Sequence, residues 1–375
     1  MSVVKNDYLS WYKDIEQSLS KRNDAHVLMS SAVEEPIDLL FEHLQKNEPQ
    51  LRSLMKTPNP RGLPELFDCL SLRYGVPKNR LIPTAGTSNA LYLVCRALLE
   101  PGDEAAVENP GYEPLMVVPG LIGARIRSFD RRPPDFAVDM DSLKRAINKK
   151  TKLLIITNLH NPSGAKTSDG ELTEIAALLT RRAPRAHVLV DEVYHDFTID
   201  SQGPAASLGP EFVSIGSLTK VYGLGFLRCG WVFADPELIS RIREIQSAVE
   251  GIGSRILEAI SIIVLENLDQ YLRRSIEIVA ENRQTLGREI SHLIESELLR
   301  GEPPENGCIH FPRLPGSADI DRLCENLKEK HGVLVVPGRF FGAPQHIRIG
   351  FGASPSKFSE AIGKFRTGLQ DLIGR

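Results

Sequence analysis

One lysine lies in a glycine-rich stretch that also supplies a hydroxyl and a guanidinium. Lys220 lies within residues 217–231, with Ser217 three positions before it and Arg228 eight positions after it. A lysine amine can form a Schiff base with an aldehyde, and a hydroxyl together with an arginine can hold a phosphate. These residue types suit a ligand that carries both groups, and pyridoxal phosphate is such a ligand.

A second candidate anion site opens the helix predicted over residues 87–99. Gly86 and Thr87 stand between this helix and a predicted strand, where free backbone N–H groups and the helix dipole favour a phosphate. The alternative is ordinary capping of the helix, with Thr87 as the N-cap. The local sequence leaves both interpretations open.

Two turns with polar or aromatic side chains follow other predicted strands. Asn161 begins an Asn-Pro-Ser-Gly turn, which is either purely structural or gives the Asn161 amide as a donor to a ring hydroxylate. We expect the neighbouring His160 to be a local turn partner. Tyr112 ends an Asn-Pro-Gly-Tyr turn and either stacks on a ligand ring or packs on the sheet.

Asp191 ends a predicted strand, where a buried carboxylate requires a cation or a hydrogen-bond donor. A protonated pyridine nitrogen meets this need, and the pairing makes the ring an electron sink. Tyr194, three residues further on, can donate its phenol to the ring oxygen. The alternative for Asp191 is a helix N-cap.

Arg348 lies in a predicted strand whose isoleucines share the opposite face. Its planar fork can clamp a substrate carboxylate through two hydrogen bonds. The alternative is an arginine on the protein surface.

Strands and helices alternate through the middle of the chain, which predicts an α/β fold with a mostly parallel sheet covered by helices. Ligands of such sheets lie beyond the carboxyl ends of the strands. The predicted strands are 81–84, 105–107, 124–129, 153–157, 187–190, 213–216 and 231–234. The predicted helices are 87–99, 113–118, 139–148, 169–182 and 221–226.

Both ends of the chain have a different pattern. Predicted helices 5–22, 37–46 and 63–74 come first, and the apolar spacing of 5–22 suggests an arm that packs on a neighbour. After a long helical segment at 236–300, strands 308–312, 333–335 and 346–351 mix with helices 319–330 and 356–373. We therefore expect an arm and part of a small domain over 1–45, a large domain over 46–250, and a connecting helix with the small α+β domain over 251–375.

The composition limits the partners and the compartment. A net charge of −3 over 375 residues, with interspersed signs, argues against nucleic acid as the main partner. Five cysteines with no C-x-x-C pair fit a reducing compartment. The first residues carry charges and lack the apolar core of a secretory signal, and no apolar stretch is long enough to span a membrane. We expect a cytoplasmic protein.

In their order along the chain, these motifs resemble those of the fold-type I pyridoxal phosphate enzymes, specifically the class I/II aminotransferase superfamily, over about residues 30–375. The resemblance implies that Lys220 is the Schiff-base lysine and proton shuttle, and that the enzyme is a homodimer with shared active sites. It implies that Asp191 contacts the pyridine nitrogen and that Asn161 and Tyr194 contact the ring oxygen. Tyr112 would lie on the ring face, and Arg348 would bind the substrate carboxylate. The phosphate would be held by Gly86, Thr87, Ser217 and Arg228.

The chain departs from this family at two places. Thr57 stands where a tyrosine usually reaches the partner subunit's phosphate, and threonine is too short for that contact. Residues 30–36 lack the glycine of the usual Gly-x-Pro that lines the substrate site. Both differences affect substrate handling and leave the aldehyde chemistry intact.

Three functions follow from these observations. The first is transfer of an amino group between an amino acid and a 2-oxo acid. The second, motivated by the two departures, is an elimination or cyclising lyase that resembles aminocyclopropane-carboxylate synthase or the capreomycidine- and enduracididine-forming cyclases. The third is the effector domain of a transcription regulator, which we expect to be excluded because about 35 residues before the fold cannot hold a DNA-binding domain.

Overall fold

The computed structural model describes residues 7–19, 25–58, 60–198, 203–251, 253–316 and 318–373. The helices in these ranges are α1 (Asp7–Leu19), α2 (Ile37–Lys46), α3 (Glu48–Lys56), α4 (Pro64–Tyr74), α5 (Thr87–Leu98), α6 (Pro114–Ile122), α7 (Met140–Ala146), α8 (Asp169–Arg182), α9 (Pro236–Glu250), α10 (Arg255–Glu266), α11 (Leu268–Glu295), α12 (Ile320–His331) and α13 (Pro355–Ile373). The strands are β1 (His26–Val27), β2 (Leu81–Thr84), β3 (Glu104–Asn109), β4 (Arg125–Arg132), β5 (Ala137–Val138), β6 (Thr151–Thr157), β7 (His187–Asp191), β8 (Phe212–Ser217), β9 (Gly230–Phe233), β10 (Ile309–His310), β11 (Val333–Leu334), β12 (Val336–Pro337) and β13 (Ile347–Gly350).

Eight strands form the central sheet, in the order β2-β9-β8-β7-β6-β3-β4-β5. Strands β8, β7, β6, β3 and β4 run parallel to one another. Strand β9 is antiparallel to both β8 and β2, so β2 has the same direction as β8. The predicted α/β fold with a mostly parallel sheet is confirmed. This topology brings the carboxyl ends of β2, β8, β7, β6 and β3 to one edge.

Helices cover both faces of this sheet, because successive side chains of a strand point to opposite sides. In β7, Leu189 packs into one apolar cluster with Leu91 of α5. Its neighbours Val188 and Val190 pack into another cluster with Ile175 of α8. Burial of both faces holds the sheet rigid, so the loops at its edge start from fixed positions.

A second group of strands involves both ends of the chain. Strands β10, β13 and β12 form an antiparallel sheet, and β1 pairs in parallel with β11. Residues 28–34 then run beside β13, with Gly350 N donating to Leu28 O at 2.6 Å and Glu34 N donating to Gly352 O at 2.8 Å. These hydrogen bonds fix the backbone of residues 28–34 relative to β13.

The predicted helix over 221–226 is wrong. A single 3-10 turn covers Gly225–Leu227 instead. Gly223 has a φ of +68°, and a Cβ there would lie 2.7 Å from Val33 O. The positive φ and the close approach of residues 28–34 prevent a helix at this position.

The long helical segment predicted over 236–300 is divided into α9, α10 and α11. Gly251 ends α9 with a φ of +65°, and Asn267 separates α10 from α11. Helix α3 and strands β1, β5 and β12 were not predicted. Of the helix predicted over 5–22, the described part is α1, and residues 5–6 and 20–22 lie outside the described residues. The remaining predicted elements agree with the structure apart from their end residues.

Candidate active site

The carboxyl edge of the central sheet brings together the side chains predicted to do chemistry. Asp191 and Ser217 end β7 and β8, while Tyr112 and Asn161 lie in the turns after β3 and β6. Lys220 follows β8 by three residues. Because these strands lie side by side, motifs far apart in the sequence become neighbours.

Lys220 is partly buried, and its amine has a defined partner. Its Nζ donates to Ser31 Oγ at 3.0 Å. Burial, and to a smaller extent the nearby guanidinium of Arg348, lower the pKa of Lys220 to about 8. An amine with this pKa is partly neutral near pH 7.5, as a nucleophile or a base must be.

Asp191 is buried, with 5% of its surface exposed. Its Oδ1 accepts a hydrogen bond from Val193 N at 3.2 Å, and within the described ranges it forms no ion pair. Burial raises the pKa of Asp191 to about 7, against the opposing effects of the Val193 N–H and the Lys220 charge. A cationic ring nitrogen beside this carboxyl favours its ionised form.

The loop between β2 and α5 has the features of an anion site. Gly86 is the N-cap of α5 and makes no side-chain cap, so the alternative interpretation, in which Thr87 is the N-cap, is wrong. Instead, Thr87 Oγ1 is buried and has no hydrogen-bond partner in the described part of the chain. A phosphate at this helix N-terminus would satisfy that hydroxyl and the free N–H groups of the first turn.

Arg228 comes close to the same loop. Its Nη2 donates to Ala85 O at 3.1 Å, and a Cβ on Gly86 would lie 2.5 Å from that nitrogen. Ser217 is buried next to this region, with 3% of its surface exposed. The donor set of hydroxyls, backbone N–H groups and one guanidinium fits the phosphate of pyridoxal phosphate.

Arg348 is fully buried, which excludes the surface interpretation. Its Nη1 donates to Asn161 Oδ1 at 3.0 Å, and its Nη2 donates to Tyr8 OH and to Met29 O, each at 3.0 Å. Its Nε is buried and has no hydrogen-bond partner among the described residues. The guanidinium therefore has an unused donor at this site.

A chain of hydrogen bonds connects Asn161 to a buried ion pair and holds its backbone in place. Its N–H donates to Thr157 Oγ1 at 2.9 Å, and that hydroxyl donates to Glu108 Oε1 at 2.6 Å. The other oxygen of Glu108 pairs with Arg131 Nε at 2.6 Å. With the amide oxygen of Asn161 engaged by Arg348, its NH₂ group remains as the donor for a ligand.

Tyr194 and His160 have protein partners. The buried Tyr194 hydroxyl donates to Ser31 O at 3.0 Å, and burial raises its pKa well above the usual value. The Nδ1 of His160 contacts Ser163 Oγ at 2.7 Å, and its Nε2 contacts Pro110 O at 2.8 Å. His160 is thus a turn partner, as expected.

Helix α1 covers this site from its own chain, although the sequence suggested packing on a neighbour. The ring of Tyr8 meets the Tyr112 ring edge-on, with 5.8 Å between centroids. Tyr8 N also donates to a carboxylate oxygen of Glu113 at 2.8 Å. The apolar spacing of residues 5–22 suggested a packing face, but nothing local indicated Tyr8 or linked it to Arg348.

At the two departures from the family pattern, Thr57 and Ser31 form hydrogen bonds within the chain. Thr57 ends α3 and donates its hydroxyl to Ser53 O at 3.2 Å, a contact within its own helix. In the segment without glycine, Ser31 contacts both Lys220 and Tyr194. Sequence reasoning identified this segment as unusual and missed Ser31 itself, because no motif surrounds it.

Known proteins resemble this chain over most of its length. Residues 27–365 match the model of the family described as aminotransferase class I and II. Capreomycidine synthase from Streptomyces vinaceus is 34% identical over 73% of this chain and 70% of its own length. Arginine–pyruvate transaminase from Pseudomonas aeruginosa is 26% identical over 80% of this chain and 77% of its own length.

Solved structures agree with this relationship. A pyridoxal phosphate-dependent aminotransferase from Streptococcus suis superposes with a TM-score of 0.86 at 24% identity, covering 96% of this chain and 97% of its own. The pyridoxal phosphate-dependent cyclase OrfR superposes with a TM-score of 0.83 at 25% identity, covering 95% of this chain and 96% of its own. The chain therefore belongs to the aminotransferase class I and II family and is a pyridoxal phosphate-dependent enzyme of the fold-type I class.

Proposed function

We propose that this enzyme transfers an amino group between an amino acid and a 2-oxo acid, with Lys220 as the residue that moves the proton. The observation that carries the proposal is the Lys220 amine itself, which lies at the edge of the sheet with a pKa lowered to about 8. The carboxyl of Asp191 lies at the same edge, and the guanidinium of Arg348, from β13, reaches this edge by its hydrogen bond to Asn161. A base, a partner for a ring nitrogen and a partner for a carboxylate are the three groups that the reaction needs.

We assign the cofactor contacts as the family resemblance implies. Gly86, Thr87, Ser217 and Arg228 hold the phosphate, Asp191 pairs with the ring nitrogen, Asn161 and Tyr194 contact the ring oxygen, and Tyr112 lies on the ring face. When bound, pyridoxal phosphate supplies a conjugated system that accepts the electron pair left after loss of the substrate α-proton. Tyr194 now donates to Ser31 O at 3.0 Å, so a ring oxygen competes with that carbonyl for the same proton.

Lys220 then acts as a general base and a general acid. As the substrate Cα–H bond breaks, its electron pair stays with the substrate, and the lone pair of Nζ takes the proton. Lys220 would return that proton to a cofactor carbon, after which water would release the donor as a 2-oxo acid. The same steps in reverse, with the acceptor 2-oxo acid, would complete the transfer of the amino group. Because burial favours the neutral amine, the base form is available near neutral pH.

Arg348 binds the α-carboxylate of the substrate. Its unpartnered Nε supplies one donor, and Nη2 supplies a second if the Tyr8 hydroxyl gives way to a carboxylate oxygen. Two parallel hydrogen bonds fix the orientation of the carboxylate, and hence of the Cα–H bond.

Further parts of the proposal concern assembly and location. The substrates are small molecules, an amino acid and a 2-oxo acid, and neither nucleic acid nor a membrane is a partner. We infer a homodimer with shared active sites in the cytoplasm. Support for the compartment comes from the five cysteines, all of them free thiols. No helix of the described ranges has the length and apolar character to cross a membrane.

We also propose the division into residues 1–45, 46–250 and 251–375. Support comes from the pairing of β1 with β11, which joins the N-terminal part to the C-terminal unit.

A second candidate is cyclisation or elimination on the same scaffold. The 34% identity to capreomycidine synthase is higher than the 26% identity to arginine–pyruvate transaminase. The departures at Thr57 and in residues 30–36 are consistent with altered substrate handling. In this candidate Lys220 removes the same α-proton, and a leaving group departs from the β or γ carbon.

One experiment separates the two candidates. The purified enzyme with bound cofactor is mixed with single amino acids, including arginine and derivatives that carry a β or γ leaving group, with and without a 2-oxo acid. Mass spectrometry then identifies the products. A new 2-oxo acid, with the amino group on the acceptor, supports transamination. Release of the leaving group without amino transfer supports the lyase or cyclase.

A further inference from the structure

The hydroxyl of Ser31 is the hydrogen-bond acceptor of the proposed catalytic amine. Lys220 Nζ and Ser31 Oγ are 3.0 Å apart, although the residues are separated by 189 positions in the chain. Ser31 is buried, with 7% of its surface exposed. Within the described ranges, Nζ makes no other hydrogen bond. The contact therefore determines where the amine lies.

The main chain around Ser31 is fixed on both sides. Val33 N donates to Lys220 O at 3.0 Å, and Glu34 N donates to Gly352 O at 2.8 Å. A Cβ on Gly350 would lie 1.6 Å from Ser30 O, so only glycine permits this approach. The segment carrying Ser31 is thus held between the Lys220 loop and β13.

The carbonyl of Ser31 has a second role at the site. It accepts a hydrogen bond from the Tyr194 hydroxyl at 3.0 Å and a weaker one from Cys308 Sγ at 3.7 Å. Both donors are buried. Movement of residue 31 relative to the amine is therefore restricted through its backbone as well.

We propose that Ser31 is a positioning residue, which holds the Lys220 amine at the place where it exchanges a proton with the substrate α-carbon. This inference rests on the function proposed above. A lysine side chain is flexible, and a single fixed acceptor reduces the number of positions that the amine occupies. When one N–H donates to Ser31 Oγ, the lone pair of Nζ stays available for the α-proton. After the transfer, the same oxygen accepts from the ammonium.

The first test measures exchange of the substrate α-proton with solvent in D₂O by NMR, using the enzyme with bound cofactor. Ser31→Ala is expected to slow exchange about 10- to 100-fold, because a misplaced catalytic group costs this much. KM and the cofactor absorption spectrum are expected to stay unchanged. Ser31→Thr restores the hydroxyl and should recover the rate. Ser30→Ala is the matched control, since among the described residues its hydroxyl forms hydrogen bonds with Ala32 alone.

The second test needs no cofactor. An amine-specific acylating reagent is applied to the cofactor-free protein between pH 6 and 10, and modification of Lys220 is followed by peptide mass spectrometry. Removal of an acceptor for the ammonium should lower the apparent pKa of Lys220 by about one unit in Ser31→Ala. Ser30→Ala should leave the profile unchanged.

The outcomes separate this inference from the proposed function. If Ser31→Ala exchanges the α-proton at the normal rate, or leaves the labelling profile unchanged, the role of Ser31 is refuted. If the wild-type enzyme exchanges no α-proton from any amino acid, the proposed function itself fails, while the labelling still reports on the Ser31–Lys220 contact.

Discussion

Arg348 donates from Nη1 to the amide oxygen of Asn161, with 3.0 Å between the two atoms. The proposed carboxylate partner and a proposed contact of the cofactor ring thus touch each other directly. A displacement of the guanidinium therefore changes the orientation of the amide, so substrate binding and cofactor binding are physically linked at this point.

This link leads to a prediction for Arg348. Arg348→Lys keeps the charge and removes the planar fork, so KM for the amino acid should rise at least about 30-fold, from the loss of buried charge-assisted hydrogen bonds. The preference for an amino acid over the matching amine without a carboxylate should fall by a similar factor. Steady-state kinetics with both substrates measure this, with Arg322→Lys on the exposed face of α12 as the control. A loss of kcat at unchanged KM contradicts the proposed clamp.

Substitution of Lys220 should remove both covalent attachment and proton transfer. We expect Lys220→Ala to lower turnover by at least about 10⁴-fold, since its amine acts as general acid and base. Cofactor should still bind without a covalent bond, through the phosphate loop and the ring contacts. Borohydride reduction followed by mass spectrometry should find covalently attached cofactor in the wild type and in the exposed control Lys149→Ala, and none in Lys220→Ala. A reducible linkage in Lys220→Ala identifies another lysine as the attachment site.

Asp191 should make the stability of the cofactor-free protein depend on pH. Its folded-state pKa of about 7 is above the ordinary value of 3.8, so the folded protein binds more protons than the unfolded chain between these values. The free energy of unfolding should therefore be highest below about pH 4 for this group and fall as the pH rises towards 7, by roughly 2–4 kcal/mol.

Thermal or urea unfolding at several pH values measures this contribution. Asp191→Asn cannot ionise and should lose it, while keeping the shape of the side chain. The same variant should also lose most of its turnover with cofactor bound, because a neutral amide does not keep the ring nitrogen protonated. An unchanged pH dependence in Asp191→Asn contradicts the assigned pKa.

The phosphate loop can be tested with a pair of glycines. Gly86 and Gly102 both have positive φ, so replacement by alanine strains the backbone at either position. Only at Gly86 does the new Cβ meet a neighbour, Arg228 Nη2 at 2.5 Å, whereas Gly102 has open space. Gly86→Ala should weaken cofactor binding at least about tenfold, as expected for one displaced charge-assisted hydrogen bond. Gly102→Ala should leave the affinity unchanged. Fluorescence titration of the cofactor-free protein distinguishes the two, and equal affinities argue against a phosphate at Gly86.

The predictions from the sequence were wrong at positions where a glycine or a distant contact determined the local structure. The helix expected over 221–226 is absent because Gly223 has a φ of +68° under the backbone of residue 33. Likewise, Thr87 does not cap α5, since Gly86 already occupies the N-cap position. At Gly223 a contact with a distant part of the chain excluded the helix, whereas at Thr87 the glycine immediately before it took the N-cap position.

The sequence by itself determined the α/β sheet, the identity of Lys220 as the candidate amine, the turn that carries Asn161 and the strand end that carries Asp191. These depend on periodicity and on residue types close together in the chain, and parallel strands necessarily bring their carboxyl ends to one edge. Only the tertiary structure decided that Ser31 holds the amine, that Arg348 is fully buried, and that α1 covers the site. The contact between Arg348 and Tyr8 joins residues 340 positions apart, and that between Lys220 and Ser31 joins residues 189 apart. Such contacts leave no local pattern, because they form only when distant parts of the chain pack together.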